Sequence, residues 1–448
     1  MRKIKTLIPD IILSLYLFVA VFLPDFSHIA TKYIVFGIDI SIVMISIIRT
    51  GKIRIHNNIL RIIYGFIPFW IYYLIVQTVH CFTSDVYSNK LFLNGIKSLS
   101  NVFLYYIVLM LAFYIIFDKT NMSGERVARI VFITSAIQTA CVMAAYFNSS
   151  IKYRFINMTM KYSQNDIIKR AIQTYSKDRC YGFAGNLFDA FGYVMSILAV
   201  VVIVYGLEKK KKPYLIFPFF MLFASLLNAR TGFVLILIGA LIAFLYYFDI
   251  TKILKFAGGL VVTVVLVMAV YNYIPQYTKN AVKASINQTI LLVNEGETTG
   301  VYGEILGNDI VWPDNIPFGD GASPELLAYY SGIDSGYIQC LWRFGLLGSI
   351  LLFGGFLNMF LQAYRLTNKK AVRSILACVI MIFFVYLLKL FSITNYGAAT
   401  LIFGIPTAII SLNRKNNEDE DEEFESQLER YRQSITFGQH NHCNIQKI

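Results

Sequence analysis

The sequence predicts an all-α, polytopic integral membrane protein. Of its 448 residues, 56% are hydrophobic and only 15% are charged, and the mean hydropathy is +0.57. A soluble fold cannot hide that much apolar surface, because a large part of any folded chain faces its solvent. The formal net charge is +13, but the basic residues lie in short clusters between apolar runs. That distribution is typical of membrane proteins and argues against nucleic acid as a partner.

A transmembrane helix needs roughly 20 mostly apolar residues, and the chain contains about twelve such segments. The seventh and eighth are short and nearly continuous, so a single re-entrant pair stays open as an alternative there. The predicted segments are 7–24, 32–49, 60–79, 99–117, 129–147, 190–207, 213–228, 231–248, 256–274, 336–361, 372–391 and 397–412.

Basic clusters recur in every second loop of this arrangement. The positive-inside rule therefore predicts that these loops and both termini are cytoplasmic. The polytopic domain covers residues 1–412, and an acidic cytoplasmic tail follows at 413–448. Residues 418–425 are nearly all acidic, so we expect this tail to be disordered. The basic clusters are Arg2/Lys3/Lys5, Arg49/Lys52/Arg54, Lys119/Arg126, Lys209–Lys212, Lys252/Lys255, Arg365/Lys369/Lys370 and Arg414/Lys415.

Two of the predicted outward loops are long. The loop at about 148–189 is basic, against the local charge trend, whereas the loop at about 275–335 is acidic. Turn-forming and aromatic residues at 312–321 indicate that the second loop is a compact cap. The opposite charges would let the loops pair over an outward cavity. Independent solvation of each loop is an equally weighted alternative.

The chain lacks the motifs of soluble enzymes. It has no phosphate-binding GxxxxGK[ST], no GxGxxG turn, no HExxH and no GxSxG. Its five histidines are scattered, and its six cysteines form no CxxC pair. The sequence therefore predicts no metal site and no cofactor.

Three charged junctions lie at the predicted outer boundary of the membrane: Arg179–Gly185, Asn228–Gly232 and Asp334–Tyr337, with Arg343 about two turns deeper. Charges near lipid are costly and mark functional sites by default. Arginine suits a diphosphate because its planar fork donates parallel hydrogen bonds, and helix N-termini add N–H groups. Two plainer interpretations stay open. Arg179 and Arg230 would snorkel to lipid headgroups, and Arg343 with Lys389 would be structural charges of the bundle.

The order and sidedness of these junctions resemble the O-antigen polymerase and O-antigen ligase superfamily of bacterial envelope enzymes. Its members have an arginine followed by a glycine turn, as in Arg179-x-x-Gly182, and a turn similar to Asn228–Gly232. Residues 334–348 match the polar pair, aromatic residue and Gly-Leu-Leu-Gly helix start that follow the large outer loop. Ligases typically place a histidine where this chain has Asp334, so the match favours polymerases.

The resemblance implies a GT-C-like glycosyltransferase fold and polymerisation of oligosaccharide repeat units carried on undecaprenyl diphosphate. It implies a bacterial inner-membrane location, with the lipid bilayer and this lipid-linked oligosaccharide as partners; a chain-length regulator protein is a further partner left open. The alternatives are an O-antigen ligase and a flippase or transporter of the same lipid-linked glycan. The catalytic residues would be Asp334, Arg179 and Arg230, and the substrate-binding residues Tyr337, Arg343, Trp312, Tyr330 and Arg170.

Overall fold

The computed structural model describes most of the helical part of the chain. Its continuous ranges are 2–24, 29–51, 55–83, 89–120, 122–160, 179–185, 190–228, 230–247, 312–321, 335–389 and 395–413, with isolated positions between 258 and 287. For residues 2–7, 89–91, 160 and 230 it describes the backbone alone.

These continuous ranges contain twelve helices and no strand. They are α1 Arg2–Phe22, α2 Thr31–Thr50, α3 Asn57–Thr83, α4 Asn89–Lys119, α5 Gly124–Phe147, α6 Ser149–Met160, α7 Ala190–Lys209, α8 Lys212–Leu226, α9 Arg230–Tyr247, α10 Gly336–Arg365, α11 Lys370–Tyr386 and α12 Tyr396–Asn413.

Seven of the described helices are long and apolar enough to cross a membrane, namely α2, α3, α4, α5, α7, α10 and α12. Helices α1, α8 and α9 contain shorter apolar stretches. The all-α, multi-pass class is therefore confirmed. The number of twelve spans stays a prediction, and segment 256–274 falls almost wholly outside the described residues.

Helix α7 is the centre of the bundle. Every residue from Ala190 to Leu207 is buried, and α7 packs against α5, α8, α9 and α11. Its sequence is apolar on all sides, as expected for a helix that is surrounded by other helices.

Further helix pairs build the rest of the bundle. Helix α1 packs on α5, α2 and α3 pack on α4, and α10 packs on α3 and α11. Aromatic rings fill these contacts: the centroids of Phe66 and Phe356 are 5.1 Å apart, and those of Phe69 and Phe344 are 5.2 Å apart. Edge-to-face pairs of this kind add to the stabilisation that comes from burial.

The outer faces of α2 and α3 are apolar and exposed. Ile48 is 77% exposed, Tyr64 is 59% exposed and Phe82 is 84% exposed. Exposed apolar surface on this scale is stable only where lipid covers it. The bundle is therefore a multi-pass membrane domain.

Contacts between helix ends divide the bundle into two ends. At one, Gly185 N donates to Phe22 O at 2.9 Å; at the other, Lys211 Nζ lies 3.0 Å from Glu125 Oε1. In each pair, the charge pattern of the sequence predicts that both residues lie on the same side of the membrane, and the two pairs lie on opposite sides. We call the end that carries residues 179–185, 226–232 and 312–321 the site end.

The predicted loop at 148–189 begins with a helix, α6. The side-chain oxygen of Asn148 accepts hydrogen bonds from Ser150 N at 2.9 Å and Ile151 N at 3.2 Å, which starts the helix. The ring of Phe155 then packs 4.4 Å from that of Phe183. Helix α6 thus lies over residues 179–185 at the site end.

Candidate functional site

Residues 179–185, which we call the Arg179 segment, form a tight turn beside α5. Ala184 N donates to Tyr181 O at 3.0 Å, and Gly182 has a left-handed φ of +58°. A Cβ atom at residue 182 would lie 3.0 Å from Gln138 Nε2 and 3.1 Å from Val142 N. Only glycine meets both demands, which accounts for the glycine of the Arg-x-x-Gly motif.

Gln138 of α5 holds this turn in place. Its Nε2 donates to Tyr181 O at 2.6 Å, and its Oε1 accepts from Phe183 N at 3.3 Å. The Gln138 side chain has no exposed surface. A buried amide that satisfies one donor and one acceptor of the backbone fixes the turn more tightly than packing alone.

Asn228 joins the two arginine-bearing motifs. It is 4% exposed, and its Nδ2 donates a hydrogen bond to the carbonyl of Cys180. Asn228 ends the loop after α8, two residues before Arg230, whereas Cys180 follows Arg179 directly. Sequence positions 48 residues apart are thus brought together at the site end.

Helix α9 begins at Arg230 and is pressed against α7 within its first turn. A Cβ atom on Gly232 would overlap the Cα of Gly192 and the Oγ of Ser225. The glycine of the Asn228–Gly232 motif therefore permits close approach of two helices. Since α7 begins at Ala190 and α9 at Arg230, their free N–H groups lie together, which favours an anion.

The surroundings of the Arg179 segment are positively charged. Arg179 itself is half-buried, whereas Cys180 is 3% exposed. Burial raises the pKa of the Cys180 thiol, and the positive charge of Lys152 on α6 opposes this shift. Helix α6 thus brings one more cation toward the two arginine motifs.

Tyr337 anchors the start of α10. Its hydroxyl donates to Phe384 O at 2.8 Å, and its backbone N–H donates to Leu387 O at 3.2 Å. Both carbonyls belong to the end of α11, so the contact fixes α10 to α11. With its hydroxyl hydrogen engaged, Tyr337 offers a ligand its ring and one lone pair.

Helix α10 is broken at Gly345, which has a φ of +66°. Residues 312–321, which we call the Trp312 segment, dock into the break. Leu346 N and Leu347 N donate to Ile316 O and Pro317 O at 2.8 and 3.2 Å, and Trp342 O accepts from Asp320 N and Gly321 N at 2.8 and 3.1 Å. The freed backbone groups are therefore paired, as an apolar environment demands.

The Trp312 segment exposes its aromatic residues. Trp312 is 53% exposed and Phe318 is 46% exposed. The carboxylate of Asp320 is engaged inside the segment, because it accepts from Asp314 N and Asn315 N at 3.0 Å each. The segment is thus a folded element with an apolar outer face, and its place in an outward loop stays a prediction.

Arg343 is buried just before the break, at 4% exposure. The centre of its guanidinium lies 6.0 Å from the ring of Tyr73 and 5.5 Å from that of Phe344. No acidic side chain among the described residues forms an ion pair with it. Cation–π contacts offset only part of the cost of burying a charge.

Several residues of the predicted site are not placed. Asp334, Tyr330 and Arg170 lie outside the described residues, and the side chain of Arg230 is not described. The structure joins the backbone of the Arg179 segment to Asn228. Arg343, Tyr337 and Trp312 belong to a separate group of contacts around α10.

Sequence reasoning missed several buried polar residues, of which three are important for the contacts described here. They are Gln138, Gln77 of α3 and Asp39 of α2, which are at most 1% exposed. Each is a polar residue within an apolar run, which is the signal that would have identified it.

Comparisons of the chain with protein-family models, with curated proteins and with solved structures give no match. The case for a function therefore depends on the residues of the site.

Proposed function

We propose that this protein polymerises oligosaccharide repeat units carried on undecaprenyl diphosphate, at the outer face of a bacterial inner membrane. The observation that carries the proposal is the hydrogen bond from Asn228 to Cys180 O. It ties the segment containing Arg179 to the turn that leads into Arg230. Two arginines that start from neighbouring backbone positions are suited to the two phosphates of one lipid-linked donor.

In the proposed reaction, a hydroxyl of the acceptor glycan attacks the anomeric carbon of the donor. The bond between that carbon and the diphosphate oxygen breaks, and the lipid diphosphate leaves. Arg179 and Arg230 neutralise the charge that develops on it. Asp334 accepts the proton of the attacking hydroxyl. The leaving group is a lipid diphosphate at the membrane surface, so the proposal needs no nucleotide and no metal.

The proposed orientation follows from charge. The end opposite the site end carries basic residues on several helix termini, including Lys119, Arg126, Lys209 and Arg365. The positive-inside rule assigns such an end to the cytoplasm. The site end then faces outward, where a lipid-linked repeat unit is presented, and both termini are cytoplasmic.

One observation favours a transporter instead. Asp39 lies near the middle of α2 with no exposed surface; its Oδ1 accepts from the Tyr16 hydroxyl, and its Oδ2 has no partner in the described part of the chain. Buried carboxylates at this depth occur in ion-coupled transporters. Asp39→Asn should leave a polymerase active, whereas a transporter that uses Asp39 would stop moving lipid-linked glycan.

The proposal is tested by the glycan pattern of a strain that lacks the gene. Loss of a polymerase leaves single repeat units attached to the cell surface, so the ladder on a gel collapses to one band. Loss of a ligase leaves free lipid-linked polymer, and loss of a flippase leaves repeat units inside the cell. Of these three results, only the single band supports the proposal.

A further inference from the structure

A second group of buried polar side chains lies between α3, α4 and α10. Tyr73, Gln77 and His80 follow each other at intervals of four and three residues, so they share one face of α3. Arg343 of α10 lies against the Tyr73 ring at 6.0 Å. We call these four residues the α3–α10 cluster.

Several polar atoms of the α3–α10 cluster lack partners, although His80 is also hydrogen-bonded to the backbone of Gly319. Within the described residues, Tyr73 Oη, Gln77 Oε1, Gln77 Nε2 and His80 Nε2 form no hydrogen bond, and Arg343 has no ion pair. Tyr73 and Gln77 are each 1% exposed, and Arg343 is 4% exposed. Each unpaired buried polar group destabilises the folded protein. Several around one unneutralised guanidinium indicate a ligand rather than a packing accident.

Three members of the cluster, Tyr73, Gln77 and His80, come close together around two glycines. A Cβ atom on Gly95 of α4 would lie 3.3 Å from Tyr73 Oη and 3.9 Å from Gln77 Oε1. A Cβ atom on Gly321 would lie 3.2 Å from Gln77 Nε2 and 3.0 Å from His80 Cδ2. Gln77 therefore spans the cluster, and Gly321 of the Trp312 segment covers it.

The chemistry of the cluster selects an anion with several oxygen atoms. Arg343 presents a planar fork, and the amide of Gln77 and the hydroxyl of Tyr73 can each donate a hydrogen bond. The neighbouring acid, Asp320, is occupied by two backbone N–H groups of its own segment. Phosphate oxygens accept hydrogen bonds from donors of these kinds.

The surface beside the cluster is apolar. Leu346 and Leu347 are 48% and 46% exposed, and their N–H groups bond to Ile316 and Pro317 of the Trp312 segment. The exposed side chains of Ile316 and Phe318 add to this apolar surface. A ligand that combines a phosphate with a long hydrocarbon chain would satisfy the cluster and the apolar surface together.

We propose that the α3–α10 cluster binds the diphosphate of a second lipid-linked molecule, the acceptor. The inference rests on the proposed function, because joining two lipid-linked glycans brings two diphosphates to one enzyme. Arg179 and Arg230 hold the donor diphosphate, which is released. Arg343, assisted by Gln77 and Tyr73, holds the acceptor diphosphate, whose bonds do not change.

The test counts the molecules of undecaprenyl diphosphate bound to the full-length protein in phosphatidylcholine nanodiscs, by native mass spectrometry with titration. Wild type should bind two. Arg343→Gln should bind one tightly and weaken the other about 10- to 100-fold, the range expected for hydrogen bonds to a charged group. Arg179→Ala should instead abolish binding of the donor molecule and leave the acceptor molecule bound. Arg365→Gln, at the far end of the same helix, is the matched control and should bind two.

A second variant separates loss of binding from loss of folding. Gln77→Glu keeps the size of the side chain and supplies the cluster with a carboxylate as a counter-charge to Arg343, so the protein should stay folded and bind one molecule. Retention of two molecules by Arg343→Gln and Gln77→Glu would overturn the inference. Equal weakening of both molecules would also overturn it, as would displacement by equimolar phosphatidylglycerol.

Failure of this inference can be told apart from failure of the proposed function. If deletion of the gene leaves the glycan ladder unchanged, the polymerase proposal fails, whereas the binding stoichiometry still tests the cluster. If deletion abolishes the ladder but Arg343→Gln binds two molecules, only the acceptor site is wrong.

Discussion

The side-chain amide of Asn228 donates a hydrogen bond to the backbone carbonyl of Cys180. Through this bond, the turn before α9 holds the Arg179 segment against the tip of the bundle. The contact is buried, and Asn228 is only 4% exposed. Its loss would leave a carbonyl unpaired in an apolar setting and release one arginine motif from the other.

Asn228→Asp should therefore lower activity strongly. The substitution keeps the shape of the side chain but replaces the donor with an acceptor that faces the Cys180 carbonyl. We expect a loss of about 2 kcal/mol in the free energy of unfolding and a shortened or absent glycan ladder. Thermal unfolding in detergent and gel banding measure the two effects.

The matched control is Asn358, whose Nδ2 donates to Arg61 O at 3.0 Å at the opposite end of the bundle. Asn358→Asp removes the same kind of hydrogen bond far from the site, so it should preserve the ladder. Equal loss of polymer in both variants would mean that Asn228 acts through stability alone.

Gln138→Leu should loosen the Arg179 segment. Leucine fills most of the same volume but leaves Tyr181 O and Phe183 N without their partner at 2.6 and 3.3 Å. We expect a destabilisation of about 2–4 kcal/mol from two unpaired backbone groups. If Gln138→Leu unfolds at the same temperature as the wild type, then water or another group pairs with the two backbone atoms of the turn.

Gly232→Ala should separate α9 from α7. The added methyl group would overlap backbone atoms of Gly192, and backbone cannot move aside as a side chain does. We expect a destabilisation above about 2 kcal/mol, typical of overpacking. Gly354→Ala in α10 is the control, because nothing lies within 4 Å of its Cβ position. Gly354→Ala should be neutral or more stable than the wild type by about 0.5–1 kcal/mol. If Gly354→Ala were less stable than Gly232→Ala, the close packing of α9 on α7 would be contradicted.

Cys180 should resist alkylation in alkaline solution. Burial raises the pKa of its thiol above the ordinary value of 9.0, so the neutral form persists in the folded protein. The stability gained by burying the neutral thiol is fully present below the pKa of the thiol in the unfolded chain. It is lost as the pH rises through the pKa of the thiol in the folded protein. Iodoacetamide labelling at pH 9, read by peptide mass spectrometry, should modify Cys180 slowly, and faster in Asn228→Asp. Rapid labelling of the wild type would contradict the buried position.

The sequence alone predicted the bundle well, because apolar runs that cross a membrane are long and distinct. Helices α2, α5 and α7 begin and end within a few residues of the predicted segments. Helix α6 was not foreseen, since its 12 residues have mixed polarity and no strong period. Its stability comes from the local Asn148 cap and from packing on Phe183, and the second contact joins positions that sequence patterns do not connect.

The break in α10 was also not foreseen. Residues 336–361 look like one continuous apolar helix, and Gly345 resembles the other glycines of the segment. The break exists because the Trp312 segment supplies backbone partners from about 30 residues upstream. The two arginine motifs could be found from charge at the membrane boundary, but the roles of Asn228, Gln138 and Gln77 depend on tertiary contacts.

The most direct test of the account is the glycan ladder of a deletion strain complemented with wild type, Arg179→Ala, Arg230→Ala, Arg230→Lys or Arg365→Ala, with membrane levels of each protein measured in parallel. We expect a full ladder from wild type and from Arg365→Ala, and a single repeat unit from both site alanine variants. Arg230→Lys should restore little polymer, because an ammonium group cannot replace the planar fork. A full ladder from a correctly inserted Arg179→Ala/Arg230→Ala double variant would contradict the central claim that these arginines bind the lipid diphosphate.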